Sequence, residues 1–170
     1  MINIVCVGQI KEDFYKSAIN EYVKRIGRFN KISITEVKEE KLPANFSNAD
    51  ILNVIKTEGI RINENLKGYV VVCDIEGNKL NSVDFAKKLK ASEQNFSDIT
   101  FVIGGSYGVW QEIKNKANLR LSFSDFTLPH QLFRVVLLEQ IYRAQTINNN
   151  VTYHKWEAYG IFFITSVKRG

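Results

Sequence analysis

The chain has 170 residues, of which 45% are hydrophobic and 24% are charged, and only two are prolines. This length suits one domain with a full buried core, and the composition excludes disordered, collagen-like and mucin-like chains. The net charge of +5 is concentrated at the C-terminal end, since residues 120–170 carry six basic and three acidic side chains. Such an excess favours a polyanionic partner, and it is equally typical of a solvated surface.

The first half of the chain alternates strand and helix patterns. The continuous apolar run at residues 2–7 predicts a buried strand, and apolar positions from Phe14 to Ile26 recur with helical spacing. Residues 31–37 alternate apolar and polar side chains, which predicts a second strand, and Ser47 is a suitable N-cap for the helix after it. Two consecutive β-α steps favour a parallel sheet.

The second half repeats this alternation. The apolar run at residues 69–73 predicts a strand buried on both faces, Gly77 is expected to turn the chain, and Ser82 to open a helix. A further strand at residues 99–103 leads into a glycine-rich turn, a short helix and a brief strand at residues 119–122. The whole pattern predicts an α/β fold with an open, mostly parallel sheet, helices on both faces and a single domain.

The last helix, expected at residues 129–147, carries apolar side chains in nearly every direction. At about 100° per residue they leave no face that is entirely polar. One side would cover the sheet, and the other side needs a second burial partner. An isologous homodimer through this helix is the simplest arrangement that supplies one.

Membrane, signal and metal features are missing from the sequence. No apolar run approaches the roughly 20 residues that cross a bilayer, and residues 1–7 lack the basic region and cleavage site of a signal peptide. We therefore expect a cytoplasmic protein with no membrane partner. Cys6 and Cys73 lie in apolar runs, as core residues do. His130 and His154 have no partner at zinc-ligand spacing, so no metal is expected.

The sequence GGSYG at residues 104–108 matches the G-x-S-x-G pattern of hydrolase nucleophiles. A serine hydrolase with Ser106, Asp125 and His130 in that chain order is therefore one candidate function. The short separation of Asp125 and His130, the absence of an HGGG-type loop and the few predicted strands count against it. Neither a dinucleotide-binding fingerprint nor a P-loop is present, and glycines in this pattern are also typical of an ordinary turn.

A ligand pocket is expected at one edge of the predicted sheet. In open parallel sheets, ligands bind beyond the carboxyl ends of the strands. Residues 73–77, 103–108 and 123–128 would meet there, and the last of these segments leads into a helix start at Pro129. Glycines allow a close approach of the backbone, and free N–H groups at a helix start suit a carboxylate or phosphate. Such a pocket suits a nucleoside with a charged tail.

Four stretches carry a family resemblance: FVIGGSYG at residues 101–108, LSFSDFTLPHQLFRV at 121–135, EQIYRA at 139–144 and YHK at 153–155. They resemble the H-type large-subunit ribosomal RNA methyltransferases of bacteria, a branch of the SPOUT superfamily that methylates N3 of a pseudouridine in 23S rRNA. The resemblance covers residues 1–155, which would form the methyltransferase domain. Residues 156–170 would be an atypical C-terminal extension.

The resemblance implies S-adenosylmethionine as the cofactor and a homodimer whose C-terminal segment forms a trefoil knot. It also implies ribosomal RNA as the substrate, in the large subunit or the whole ribosome, and the small basic surface favours an assembled particle. A non-catalytic RNA-binding module of the same fold is the alternative. Carried over by position, the cofactor contacts are Cys73, Gly104, Phe123, Ser124, Asp125, Phe126, Thr127 and Leu128.

The resemblance also assigns residues to the chemistry. Methylation of N3 requires loss of the N3 proton, and His130 in the first helical turn would stay neutral and able to accept it. A capping or core histidine is the other interpretation. Tyr153, His154 and Lys155 would offer a stacking ring, a titratable ring and a phosphate contact. The family implies that this tail reaches the partner subunit's active site.

Two arginines of the last helix complete the expected site. Arg134 and Arg143 are nine positions apart and therefore lie on different sides of the helix. One is expected to pair with Glu139 and the other to contact RNA. We place Arg143 in the catalytic set with the tail, and Arg134 at the RNA.

Overall fold

The computed structural model describes residues 1–153, in which five strands alternate with five helices. The strands are β1 (Ile2–Val7), β2 (Ile32–Val37), β3 (Tyr69–Lys79), β4 (Ile99–Ile103) and β5 (Leu119–Ser122). The helices are α1 (Asp13–Ile26), α2 (Asn48–Asn63), α3 (Ser82–Asn95), α4 (Gln111–Lys116) and α5 (His130–Asn148). The extension predicted at residues 156–170 lies outside the described residues.

All five strands belong to one parallel sheet in the order β2-β1-β4-β3-β5. Helices α1, α3 and α5 cover one face, with α5 packed against both of the others, and α2 and α4 cover the opposite face. This arrangement confirms the predicted α/β sheet with helices on both sides. Because every strand runs the same way, all the carboxyl ends lie at a single edge.

Each face of the sheet has its own apolar cluster. Alternate residues of a strand point to opposite faces, so Ile2 and Ile4 belong to the larger cluster under α5, and Val5 and Val7 belong to the smaller one. The larger cluster includes Phe85, Phe101, Leu137, Leu138 and Ile141, and the smaller includes Ile62, Val72, Val102 and Ile113. None of the helices in residues 1–153 is long and apolar enough to span a membrane.

Three local features were predicted with different success. Ser47 caps α2 as expected, because its hydroxyl accepts the N–H of Asp50 and the Asp50 carboxylate accepts the N–H of Ser47. Phe14, expected on the apolar side of α1, is 65% exposed. Gly77 does not turn the chain, because β3 continues to Lys79 after a bulge beginning at Cys73. A Cβ at Gly77 would lie 2.6 Å from the carbonyl carbon of Arg120, so the glycine lets the bulge approach β5.

Helix α5 has no fully exposed residue between His130 and Asn148. The prediction that this helix lacks a wet face is therefore confirmed. Leu137 and Leu138 are completely buried in the chain's own core, whereas Leu132 and Val136 are half-buried. The helix ends in the polar run after residue 147, where Asn150 takes a left-handed backbone conformation with φ of 55° and reverses the chain.

Candidate functional site

A cavity of about 640 Å³ opens at the carboxyl ends of β3, β4 and β5. Its volume lies within the range of roughly 300 to 1,000 Å³ that is typical of small-molecule sites. It is lined by the segments that follow these three strands and by the start of α5, where the sequence predicted a pocket. The lining includes Asp74, Ile75, Gly105, Ser106, Gly108, Lys114, His130 and Phe133.

The turn after β4, residues 104–108, is closed by glycines. The N–H of Gly108 donates to the carbonyl of Gly105 at 3.1 Å, and the φ of Gly108 is 95°, which favours glycine. A Cβ at Gly104 would lie 2.7 Å from the carbonyl oxygen of Gly108. A Cβ at Gly108 would meet no heavy atom within 4 Å. The turn therefore has no room for a side chain at Gly104, and at Gly108 it borders open space that a ligand could occupy.

All the predicted cofactor contacts except Asp125 line this cavity: Cys73, Gly104, Phe123, Ser124, Phe126, Thr127 and Leu128. Asp125 instead forms an exposed ion pair with Lys79. The loop is shaped by Ser124, whose hydroxyl accepts the N–H of Phe126 at 2.9 Å. The Phe126 ring is 83% exposed at the rim.

Ser106 lines the cavity without the partners of a hydrolase nucleophile. Among residues 1–153, no hydrogen bond joins Ser106 to His130, and Asp125 is engaged with Lys79. A catalytic triad needs a nucleophile, a base and an orienting acid in hydrogen-bond sequence. The geometry gives no support to the serine hydrolase hypothesis, and GGSYG is explained by the turn.

An ion-pair group beside the cavity was not predicted from the sequence. The carboxylate of Asp74 accepts from Lys114 Nζ at 3.0 Å and from Arg120 Nη2 at 2.6 Å. Burial alone raises the pKa of Asp74, but the hydrogen bonds from the two cations outweigh it and lower that pKa below its usual value. Asp74 therefore stays ionised, and its charge is balanced within the protein. No spacing pattern in the sequence connects these three residues.

His130 and Arg134 occupy the first turns of α5 and face the loop after β1. A Cβ at Gly8 would lie 3.7 Å from His130 Nε2, and His130 lines the cavity. Arg134 is 1% exposed, and its guanidinium donates to the carbonyl of Gly8 at 3.0 Å and to the Glu36 carboxylate. A side chain enclosed in this way is closed to RNA. The expected RNA contact of Arg134 therefore does not fit the structure, which uses this residue to join α5 to β1 and β2.

Tyr153, which follows the end of α5, packs against Arg143 in the second half of that helix. Arg143 Nε donates to Glu139 Oε1 at 3.0 Å, which confirms the expected pairing of one arginine with Glu139. The guanidinium of Arg143 also lies 4.8 Å from the centre of the Tyr153 ring, and the Tyr153 hydroxyl donates to Glu139 at 3.3 Å. Burial is the main cause that raises the pKa of Tyr153 to about 12. His154 and Lys155 lie outside the described residues.

These residues do not converge within one chain. Glu139 follows His130 by roughly 13 Å of helix rise, and neither Arg143 nor Tyr153 lines the cavity. Of the predicted catalytic residues within 1–153, His130 is therefore at the cavity, and the Arg143–Tyr153 pair lies further along the chain. Among residues 1–153 there is also no group of three or more His, Cys, Asp or Glu side chains placed to hold a metal ion.

Comparison with known proteins finds relatives over most of the chain. A family model described as predicted SPOUT methyltransferase matches residues 1–154. The protein named ribosomal RNA large subunit methyltransferase H from Lactobacillus gasseri is 49% identical over 157 residues, which is 91% of this chain and 99% of that protein. Its namesake from Limosilactobacillus reuteri is 47% identical with the same coverage of both chains.

A solved structure shares the fold at low sequence identity. The probable methylase family protein from Haemophilus influenzae superposes with a TM-score of 0.52 at 14% identity, and the match covers 98% of this chain and 77% of that one. The family match extends over all the strands and helices described above. The chain belongs to the SPOUT methyltransferase family.

Proposed function

We propose that this protein is a cytoplasmic enzyme that transfers a methyl group from S-adenosylmethionine to N3 of a pseudouridine in the ribosomal RNA of the large subunit. The observation that carries the proposal is the cavity at the carboxyl ends of β3, β4 and β5, in a chain that shares about half its residues with methyltransferases named for that RNA. The basic C-terminal third suits an RNA partner. We propose that the substrate is the assembled particle.

The residues of the cavity fit S-adenosylmethionine. The 104–108 turn offers backbone groups beside an open space at Gly108, which suits close contact with a nucleoside. Phe123, Leu128 and Phe133 supply apolar wall for a flat ring. S-adenosylmethionine, when bound, supplies an electrophilic methyl group on a sulfonium sulfur. The work of these residues is to hold the reacting groups in line, which is the main source of acceleration in such a displacement.

His130 is the residue that we assign to the N3 proton. It lines the cavity at the first position of α5. A ring nitrogen of an imidazole can accept a proton, and Nε2 of His130 lies near the Gly8 loop. Removal of this proton leaves a negative charge on the pseudouridine ring, and this charge makes N3 nucleophilic.

Two copies of the chain would assemble each active site. The Arg143–Tyr153 pair lies too far along α5 to serve the cavity of its own subunit, and α5 presents the half-buried Leu132 and Val136 as apolar surface. We propose a dimer through this face of α5, with Tyr153, His154, Lys155 and Arg143 completing the partner's site. The family resemblance also predicts a trefoil knot in each chain. The knot, like the dimer, remains a prediction.

The direct test is methyl transfer from labelled S-adenosylmethionine to ribosomes from cells that lack this protein. The expected result is label at N3 of one pseudouridine in large-subunit RNA, located by nuclease mapping, with less label on naked RNA. Ribosomes from cells that contain the protein are already modified and serve as the control. Binding to ribosomes without any transfer would instead favour the non-catalytic RNA-binding module.

The dimer is tested by Val136→Asp, which introduces a charge into the proposed interface. We expect the mass in solution to fall from two chains to one, measured by light scattering. Leu52→Asp is the matched control, because Leu52 is 66% exposed on α2 at the opposite face of the sheet. An unchanged mass for the Val136 variant would refute this interface.

The tail is tested by His154→Ala. We expect methyl transfer to fall about tenfold or more, the scale of a lost proton-transfer or positioning group, with melting temperature and cofactor affinity unchanged. A mixed dimer of one subunit with this substitution and one with Gly104→Arg should recover activity if the tail acts across the interface. Recovery requires one intact composite site, so its absence would assign each tail to its own subunit.

A further inference from the structure

Glu58 is a buried carboxyl group beneath the turn at residues 104–108. It lies on α2 and is 3% exposed. Its Oε1 accepts the backbone N–H of Glu40 at 3.0 Å, whereas its Oε2 is buried and has no hydrogen-bond partner among the described residues. A polar atom held in this state lowers stability, so the position of Glu58 requires an explanation.

The unpartnered oxygen lies directly against the turn. A Cβ at Gly105 would be 2.6 Å from Glu58 Oε2, so the carboxyl group fills the space that a side chain at position 105 would need. The next residue of α2 repeats this relation, because a Cβ at Gly59 would be 2.6 Å from the Cβ of Trp110. Helix α2 therefore contacts both ends of the segment 104–110, which includes one wall of the cavity.

The surroundings of Glu58 raise its pKa above the usual value for a glutamate. Burial is the main cause that raises its pKa, and the neighbouring carboxylates of Glu39 and Glu40 act in the same direction. The N–H of Glu40 and the guanidinium of Arg61 oppose them, but Arg61 is itself bonded to the Glu40 carboxylate at 2.6 Å. Glutamine keeps the shape of this side chain and an oxygen that can accept the N–H of Glu40, so it is the closest available replacement.

We infer that Glu58 is a positioning residue for the cofactor site: wedged between the backbone of Glu40 and Gly105, it fixes the 104–108 turn and so the shape of that cavity wall. It touches no ligand itself. The inference rests on the proposed function, because the ligand of the turn is taken to be S-adenosylmethionine. It adds α2, on the far side of the sheet from α5, to the parts of the fold that determine cofactor affinity.

The test compares Glu58→Ala and Glu58→Gln with Val54→Ala, a buried position one turn earlier on the same face of α2. Three quantities are measured: melting temperature, S-adenosylmethionine affinity by calorimetry, and amide hydrogen exchange of residues 104–110 without cofactor. We expect Glu58→Ala to weaken binding about tenfold and to accelerate exchange in this segment. Glu58→Gln should stay within about twofold of the wild type, and Val54→Ala should lower only the melting temperature.

A second pair of variants tests the contact between Gly105 and Glu58 directly. Gly105→Ala places a methyl group in the space of Glu58 Oε2 and should weaken binding, whereas Gly105→Ala combined with Glu58→Ala should bind more tightly than the Gly105 variant alone. This pair also decides the matter if Glu58→Ala alone does not fold. Wild-type affinity and exchange in Glu58→Ala, equal weakening in Val54→Ala, or no recovery in the double variant would each overturn the inference.

The exchange measurement separates this inference from the proposed function. If the wild-type protein binds no S-adenosylmethionine, the proposed cofactor is wrong, but the exchange rates of residues 104–110 still report whether Glu58 fixes the turn. Faster exchange in Glu58→Ala, with neither Glu58→Gln nor Val54→Ala affected, would then support the positioning role alone. Unchanged exchange would overturn it.

Discussion

The two edges of the parallel sheet differ in how their polar groups are used. At the amino edge, side chains close the gaps between strands: Thr100 Oγ1 donates to the carbonyl of Lys67 at 2.7 Å and accepts its N–H at 3.1 Å. Asn118 Oδ1 similarly accepts the N–H of Val70 at 2.7 Å. At the carboxyl edge, the loops after β3, β4 and β5 instead leave the cavity open and expose Phe126 at its rim.

This difference separates stability from ligand binding within one small domain. Polar groups that are satisfied inside the protein stabilise the fold and have nothing left to offer a ligand. Backbone and aromatic groups left facing a cavity contribute less to stability and are available for recognition. Substitutions at the amino edge should therefore lower stability with little effect on binding. Substitutions at the carboxyl edge should do the reverse, except at Asp74, whose carboxylate is paired within the protein with Lys114 and Arg120.

Gly68→Ala should have the largest effect, at the amino edge. Gly68 has a φ of 60°, and a Cβ there would lie 2.0 Å from the carbonyl oxygen of Asp98. We expect a loss of about 3 kcal/mol or more in the free energy of unfolding, measured with denaturant. Lys67→Ala, at the exposed neighbouring position, is the control. Loss of cofactor affinity at unchanged stability would contradict the division between the edges.

Gly104→Ala should have the next largest effect, at the carboxyl edge. The new methyl group would press on the carbonyl of Gly108, 2.7 Å away, and displace the turn that lines the cavity. We expect methyl transfer to fall on the order of 100-fold, because small misplacements of reacting groups are costly. Gly27→Ala, at the exposed end of α1, should be nearly silent. Full activity in the Gly104 variant would show that the turn does not form the site.

Thr100→Val tests the amino edge more gently, since valine keeps the shape of threonine and removes both hydrogen bonds to Lys67. Thr100 is completely buried, and its hydroxyl makes two hydrogen bonds with the backbone of Lys67. Each hydrogen bond contributes about 1 kcal/mol, so we expect a loss of about 2 kcal/mol in the free energy of unfolding and unchanged cofactor affinity. Thr57→Val removes a hydroxyl from the surface of α2 as a control. A Thr100 variant as stable as the wild type would show that the two hydrogen bonds to Lys67 contribute nothing to the stability of the fold.

Asp74→Asn should have the smallest effect and a defined pH dependence. The pKa of Asp74 is lower in the folded protein than its unfolded value of about 3.9. Its ion pairs therefore stabilise the fold above about pH 4, and this contribution is lost as the pH falls through the folded pKa. We expect the variant to lose about 1 kcal/mol near pH 7 and to differ less from the wild type in acid.

The matched control for Asp74 is Glu76→Gln, since Glu76 contacts the same Arg120 from a side chain that is 74% exposed. It should leave the melting temperature unchanged. A stability difference between wild type and Asp74→Asn that does not shrink in acid would show that this charge is not stabilised by its cationic neighbours.

The order of the elements was predictable because β1, β3 and β4 contain apolar runs, β2 alternates apolar and polar residues, and α1 and α2 have apolar side chains at helical spacing. The loops of the site were predictable for a topological reason, since parallel strands deliver their carboxyl ends to one edge. The bulge of β3 at Gly77 was not, because it depends on register with β5. No pattern within one strand records its register with another.

The contacts of Arg134 and Asp125 show a further limit of sequence reasoning. Helical spacing places Arg134 on one side of α5 but cannot reveal that Glu36, 98 residues away, encloses its guanidinium. In the same way, nothing around Asp125 indicates its exposed partner Lys79. Glu58 did leave a signal, because it lies between Val54 and Ile62 at intervals of four on the buried face of α2.

The strand order β2-β1-β4-β3-β5 also determines when each strand of a newly made chain can pair with its neighbours. The first strand, six residues long, pairs centrally with β4, where Ile2 meets Ile99 and Cys6 meets Ile103. At synthesis rates of about 5 to 20 residues per second, β1 waits on the order of ten seconds for this neighbour. Such distant pairing slows folding. During that interval the apolar first strand has only β2 beside it, and its other side stays open to pairing with a strand of another chain.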